Sequence, residues 1–212
     1  MFYEIGKRTI DALGSIILGI VFLPISVLTA FAVKFDSKGW ILADTPERVG
    51  KNGKLFKLYK FRSMIVNAHG LLRTKPKFKK LYEEYRKGSY KLKDDPRITR
   101  AGKFIRKHSI DEIPQLINVL KGEMSLVGPR PYYPDELKEQ QKKYPQTKKL
   151  VKIVLSVKPG ITGFWQVSGR SEINFDKRME MDANYVKKRS LLLDIMILFK
   201  SPWAMISGKG AA

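Results

Sequence analysis

The sequence predicts a mostly helical α+β fold: a re-entrant membrane helix plus amphipathic interfacial helices around one small domain. Three observations carry this expectation. Residues 10–33 hold one charge, Asp11, in 24 positions. Helical apolar spacing returns in several later segments, whereas the extended stretches are short and bounded by Gly and Pro. The chain of 212 residues carries a formal charge of +21, which suits a polyanionic partner or surface. Its length suits one domain of modest core, and the absence of cysteine fits a cytoplasm-facing protein without disulfides.

The apolar segment comes first. Its helix would be about 36 Å long, enough to cross a bilayer core of about 30 Å. It is too long for a cleaved signal peptide, and no small-residue cleavage site follows. A single spanning helix is the plain expectation, but two features favour a bend. Pro24 near the middle removes a backbone hydrogen bond. Both flanks are positive, with Lys7 and Arg8 before and Lys34, Lys38, Arg48 and Lys51 after, so the positive-inside preference puts both ends on the cytoplasmic side. A helix that enters and leaves one leaflet satisfies both, with its backbone bonded except at the break. Residues 1–36 are thus expected to form a membrane helix–break–helix and 37–212 a cytosol-facing domain.

Trp40 to Asn52 reads as extended and turn-rich, ending in Asn52-Gly53. Leu55 to Met64 reads as a strand or extended run leading to Lys60 and Arg62. Between Arg73 and Lys107 stand 14 Lys/Arg against 4 acids. Within that tract, Pro76 to Lys87 is expected as a surface helix. A charge run is usually a solvated face, yet beside a membrane segment each cation near an anionic leaflet contributes about 1 kcal/mol. Leu137 to Leu155 is expected as another basic helix. Pro159 to Gly163 marks a tight loop whose glycines permit close backbone approach to a ligand. Phe175 to Lys188 reads as helical. Ser190 to Ile206 fits either an interfacial helix, with Trp203 at headgroup depth, or a buried one. His69 and His108 are isolated and are not expected to bind metal.

The densest chemistry lies between Ser109 and Pro131. Asp111 and Glu112 open an expected helix in which Ile113, Leu116, Ile117 and Leu120 make the core face. Gly122 closes it, with Lys121 in the last turn. Arg106 and Lys107 precede the acids and Arg130 follows between two prolines. Carboxylates bracketed by fixed cations suit phosphate chemistry, with Arg and Lys holding the anion and the acids serving as nucleophile, base or metal ligand. Ser109 to Glu112 also fits a capping box, which would explain the acids structurally. With Ser109 as N-cap, however, Pro114 would clash with the Ile110 carbonyl; a helix starting at Asp111 avoids this.

Taken together, Tyr59-Lys60-Phe61-Arg62-Ser63-Met64, Asp95-Pro96-Arg97-Ile98-Thr99, Ser109 to Gln115, Gly122-Glu123-Met124-Ser125, Gly128-Pro129-Arg130-Pro131 and Pro159 to Gly163 resemble the monotopic phosphoglycosyl transferases among bacterial sugar transferases. The resemblance runs from roughly Lys7 to Gly210. Each motif is weak alone; their joint order is specific. The family is known for a re-entrant helix, usually broken at Ser-Pro, where this chain has Leu23-Pro24 with Ser26 just after. Larger relatives carry extra amino-terminal membrane helices, which this chain is expected to lack.

The resemblance implies transfer of a sugar 1-phosphate from a nucleotide diphosphate sugar, expected to be a UDP-sugar, to polyprenol phosphate. It implies Asp111 as nucleophile, Glu112 as base or metal support, and Mg²⁺ held by Asp111 and Glu112 with the substrate phosphates. Lys60, Arg62, Arg106 and Arg130 are the expected phosphate contacts, with Gly160 and Thr162 as further substrate contacts and Pro24 as the membrane break. The expected place is the cytoplasmic face of a bacterial inner membrane, against anionic lipid, in glycoconjugate assembly; a homo-oligomer stays open. The other reading is a membrane-anchored nucleic-acid-binding protein. The +21 charge favours it, but no helix-turn-helix, zinc or aromatic-rich signature accompanies that charge.

Overall fold

The computed structural model describes residues 2–87, 90, 92, 94–168 and 173–206, without the side chains of Lys87 and of 203–206. Helix α1 (Phe2–Val21) meets α2 (Leu23–Asp36) at a bend of 62°. Among the described residues no single helix is long and apolar enough to cross a membrane; the bent pair together has the length and composition for it. The hinge residue is Phe22, and Pro24 lies in the first turn of α2. Pro24 has no N–H for the Ile20 carbonyl, so the ladder is interrupted across the bend, while Phe22 N–H still reaches the Leu18 carbonyl at 2.9 Å. Leu13, Ile16, Ile17, Ile20, Leu28 and Phe31 point outward, an apolar surface far beyond scattered single residues.

Polar anchors fix α1 to the rest. Asp11, 3 % exposed, accepts from Ser125 Oγ at 2.9 Å and Leu126 N–H at 3.0 Å. Tyr3, Lys7 and Tyr185 all donate to the buried Asp194 carboxylate. A charge inside an apolar helix is costly unless paired, so these bonds explain why Asp11 is tolerated.

After α2 the chain runs extended, as expected. Strands β1 (Arg48–Val49) and β2 (Leu55–Phe56) pair antiparallel around Asn52 and Gly53, both at positive φ. The strand or extended run expected at 55–64 is a two-residue strand followed by an extended run with single bridges from Phe61 to Leu42 and Met64 to Ile98. Helices α3 (Ala68–Thr74) and α4 (Lys79–Lys87) follow, then α5 (Arg100–Lys107), capped by Thr99 Oγ1 accepting from Gly102 N–H. The helix expected at 76–87 is a 3₁₀ turn plus α4, and its Tyr85 is buried with Leu72, Tyr90 and Leu92.

The acids do not open a helix. Ser109 takes a left-handed conformation, Ile110–Glu112 form a 3₁₀ turn, and Pro114 stands at the N-cap of α6 (Gln115–Leu120). Pro114 therefore lies outside the helix, which resolves its clash by starting the helix later than expected. The core face of α6 differs too: Leu116 and Val119 are buried, while Ile117 and Leu120 are exposed. Buried Asn118 explains the rotation. Its side chain accepts from Tyr59 N–H and donates to the Lys57 carbonyl and to Glu123, turning a polar position inward.

Strand β3 (Ser125–Val127) pairs in parallel with β4 (Gly160–Thr162). The segment expected as one helix from 137 to 155 is two, α7 (Pro134–Lys143) and α8 (Lys148–Val154). Pro145 breaks it, because helical continuation would lack a donor and clash one turn back. Then come α9 (Phe164–Ser168), α10 (Phe175–Lys188) as expected, and α11 (Leu191–Ile206). α11 is half of each expected kind: Asp194, Ile197 and Ser201 are buried, while Leu192, Met196 and Phe199 face outward. The side chain of Trp203 lies outside the described residues.

Candidate active site

Three consecutive residues on the extended run after β2 organise the site. Lys60 Nζ donates to Asp111 Oδ2 at 2.7 Å. Phe61 N–H donates to the Asp111 carbonyl at 3.0 Å, and Arg62 N–H to the Ile41 carbonyl at 2.8 Å. Asp111 is 4 % exposed, so its carboxylate meets Lys60 where water screens little.

Arg62 departs from its expected role as a phosphate contact. Its guanidinium donates to the carbonyls of Val33, Ser37 and Trp40 and to the Ser37 hydroxyl. These are the carbonyls at and beyond the end of α2, where a cation is favoured. Arg62 is a helix cap, with four of its five N–H donors so engaged, and it lines the site's cavity as well. Asp36, the last residue of α2, accepts from Ala101 N–H at 3.0 Å, and so docks α5 with Arg106 in its last turn.

The β3–β4 pair places Arg130. Gly160 N–H donates to the Pro129 carbonyl at 2.8 Å and Gly128 N–H to the Thr162 carbonyl at 2.9 Å. A Cβ on Gly160 would lie 2.1 Å from Gly128 N, so this glycine is required for backbone-to-backbone packing. The Thr162 hydroxyl bonds the Ser201 hydroxyl at 2.7 Å, which ties β4 to α11. Both residues line the site, but their closest partners are internal.

Lys60, Arg106, Asp111, Glu112 and Arg130 line one cavity of about 1110 Å³. Its lining also includes apolar surface from Gly14, Ile17, Leu18 and Phe22 of the bent helix pair and Leu198 of α11. Pro24 is not a wall residue. Among the described residues no group of three His, Cys or acidic side chains could hold a metal alone. Asp111 and Glu112 suit Mg²⁺ as a pair, because that ion takes one or two carboxylates and completes its shell with phosphate oxygens and water.

Sequence reasoning missed a further wall. The Arg48 guanidinium lies 3.2 Å over the Tyr133 ring, and the His69 ring stands 5.1 Å from Tyr133. Arg48 Nε and His69 Nε2 are buried without a hydrogen-bond partner, and all three residues line the cavity. Burial first, then the neighbouring Arg73 cation, pushes His69 down to about 4, so it is neutral at pH 7. These residues come from three separate elements, and no local pattern joins them. Behind Arg130, Arg178 covers the Trp165 ring at 4.6 Å. Burial there raises the Asp182 carboxyl to about 7, against the pull of Arg178.

The bacterial sugar transferase family matches residues 2–208. The chain is 44% identical over 205 residues to the undecaprenyl-phosphate galactose phosphotransferase of Salmonella typhimurium, covering 97% of this chain and 41% of that protein. It is 46% identical over 209 residues to an uncharacterized sugar transferase of Haemophilus influenzae, covering 97% of this chain and 42% of the relative. Against the exopolysaccharide production protein ExoY of Sinorhizobium fredii, identity is 40% over 208 residues, with 98% and 88% of the two chains covered. The chain spans about two fifths of the length of the first two relatives. A family match over nearly every residue makes this chain a member of the bacterial sugar transferase family.

Proposed function

We propose that the chain transfers a sugar 1-phosphate from a nucleotide diphosphate sugar to polyprenol phosphate at the cytoplasmic face of a bacterial inner membrane. The single observation carrying this reading is the continuity of the cavity. One lining joins apolar walls from the bent helix pair to acids that include Asp111 and Glu112 and cations that include Lys60, Arg106 and Arg130. A lipid phosphate has that chemistry, with a tail for the apolar walls and a head for the charged ones. Relatives named for undecaprenyl-phosphate galactose and N-acetylgalactosamine transfer support the same acceptor.

In the proposed reaction an Asp111 oxygen attacks the sugar-bearing phosphorus. The bond from that phosphorus to the bridging oxygen breaks, and the nucleoside monophosphate leaves with the electron pair. A phosphate oxygen of the acceptor then attacks the same phosphorus, and the bond to Asp111 breaks, restoring the carboxylate. Two steps let one anion-holding site serve both phosphate substrates in turn. Lys60 holds Asp111 in place, and Arg106 and Arg130 oppose the charge of the transferring group. Mg²⁺, when bound to Asp111 and Glu112, would neutralise phosphate charge. The Arg48–Tyr133–His69 wall offers a flat cation and ring surface suited to the nucleobase.

Asp111→Asn tests the reading, because an amide keeps the shape but is a poor nucleophile. Release of UMP from a panel of UDP-sugars should fall by roughly 10⁴-fold. Mass spectrometry of the wild type with UDP-sugar alone should show one added phospho-sugar, absent from the variant. Wild-type turnover in the variant would eliminate Asp111 as nucleophile, and lack of UMP release from every sugar by the wild type would eliminate the donor class.

A further inference from the structure

Strand β3 has two faces. Leu126 lines the large cavity, while its neighbours Ser125 and Val127 line a separate pocket of about 50 Å³, as alternation along a strand requires. The second pocket lies between the first turns of α1 and the segment ending at Lys158. Five cations line it against two carboxylates. Three of the cations have fixed partners: Lys7 pairs with Asp194, Arg189 with Glu4, and Arg8 donates to the carbonyls of Val119 and Leu120 that end α6. Of the two acids, Glu4 is thus taken by Arg189, and Asp11 accepts from Ser125 and Leu126.

Lys51 and Lys158 remain, and among the described residues neither ammonium has a hydrogen-bond or ion-pair partner. Burial, then the repulsion of Arg8, lowers the affinity of Lys158 for its proton; Asp11 opposes this, Lys51 adds to it, and Glu4 opposes it, with the lowering prevailing. A partly desolvated ammonium beside other cations, with no carboxylate bonded to it, is an unfavourable arrangement that an anion would relieve. On the same turns of α1, Phe2 and Ile5 project outward as exposed apolar residues. The pocket therefore lies at the level where α1 presents apolar surface, which is where lipid headgroups would meet it.

We propose that this pocket binds a phosphate group between Lys51 and Lys158, either from the headgroup of an anionic phospholipid or as free phosphate. The volume admits a phosphate and not a nucleotide or a sugar. The site is distinct from the Asp111 cavity and does not depend on the reaction assigned there. It is joined to that cavity mechanically. Lys158 is followed by Pro159 and Gly160, whose carbonyl and N–H bond Ser125 N–H and the Pro129 carbonyl. An anion on Lys158 would thus hold the segment against which the Arg130 loop is packed.

The experiment is competitive amine labelling of the purified full chain in neutral detergent, with Lys149 as an exposed control. Three additions are compared: dioleoylphosphatidylglycerol, dioleoylglycerol with the same tails and no phosphate, and inorganic phosphate. Phosphatidylglycerol should slow labelling of Lys158 about fivefold relative to Lys149, and Lys51→Gln should abolish most of that protection. Dioleoylglycerol should not protect. Protection by phosphatidylglycerol alone identifies a lipid headgroup, and equal protection by inorganic phosphate identifies the free ion. The proposal is overturned if neither phosphate protects Lys158 beyond Lys149, if dioleoylglycerol protects equally, or if Lys51→Gln leaves protection unchanged.

Discussion

Lys60 and Asp111 form the pair on which the site depends, and their burial makes the pair asymmetric to mutation. Removing one partner of a buried ion pair leaves the other charge uncompensated, at about 3–5 kcal/mol, whereas removing both costs far less. Lys60→Met should therefore lower stability by about 3 kcal/mol, and Lys60→Met/Asp111→Asn should recover much of it in denaturant unfolding. Lys60→Arg should keep more turnover than Lys60→Met, since it retains the charge. Asp182 gives a pH-dependent prediction. Its folded value of about 7 lies above an ordinary carboxyl, so the native state holds a proton that the unfolded chain releases. That contribution is complete below about pH 4 and is lost as pH rises to about 7, on the order of a few kcal/mol. Asp182→Asn should match the wild type in thermal midpoint at pH 4 and exceed it at pH 8; equal midpoints at both would contradict the burial argument. At this scale the sequence was most informative where cations flank acids. Lys60, Arg106, Asp111 and Arg130, singled out by flanking charge together with the resemblance, line one cavity. Arg62 could not be told from them, because the carbonyls that consume it belong to a turn that no local pattern announces.

Among the elements, the bent pair α1–α2 was legible because one proline in an apolar run has few interpretations. Pro24→Ala restores a donor for the Ile20 carbonyl and should allow a straighter helix. In the cysteine-free background, a cysteine at Phe2 should be shielded from an impermeant outside reagent, as should one at Lys38. Pro24→Ala should make position 2 partly labelled, giving a mixed population because Lys7 and Arg8 resist transfer. Unchanged labelling would place the cause of the bend in the anchors of Asp11 and Asp194 instead. Helix α10 was read to the residue, since its periodicity meets no competing signal. α7 and α8 were merged because charge pattern was followed through Tyr144-Pro145, and proline outweighs it. The face of α6 was misjudged because buried Asn118 gains three hydrogen bonds that hydropathy cannot count.

For the whole molecule, composition announced the setting and not the architecture. An excess of cations beside an apolar segment implies a membrane surface, and the outward faces of α1, α2 and α11 agree with it. The cavity itself was not legible, because its walls come from both halves of the chain and meet only after folding. The run Lys60-Phe61-Arg62 has a consequence at this scale. One end of it grips the Asp111 turn and the other grips the terminus of α2, so on the proposed reading it acts as a depth gauge between the membrane seat and the reacting carboxylate. A gauge referenced to the headgroup plane registers an acceptor by its phosphate and leaves the far end of the tail unmeasured. On the proposed reading, polyprenol phosphates that differ by several isoprene units should react at similar rates in a bilayer. A steep dependence of rate on tail length would mean that the hydrocarbon is measured as well. Tolerance of length alongside strictness of depth is how a site at a surface can work on a molecule far longer than itself.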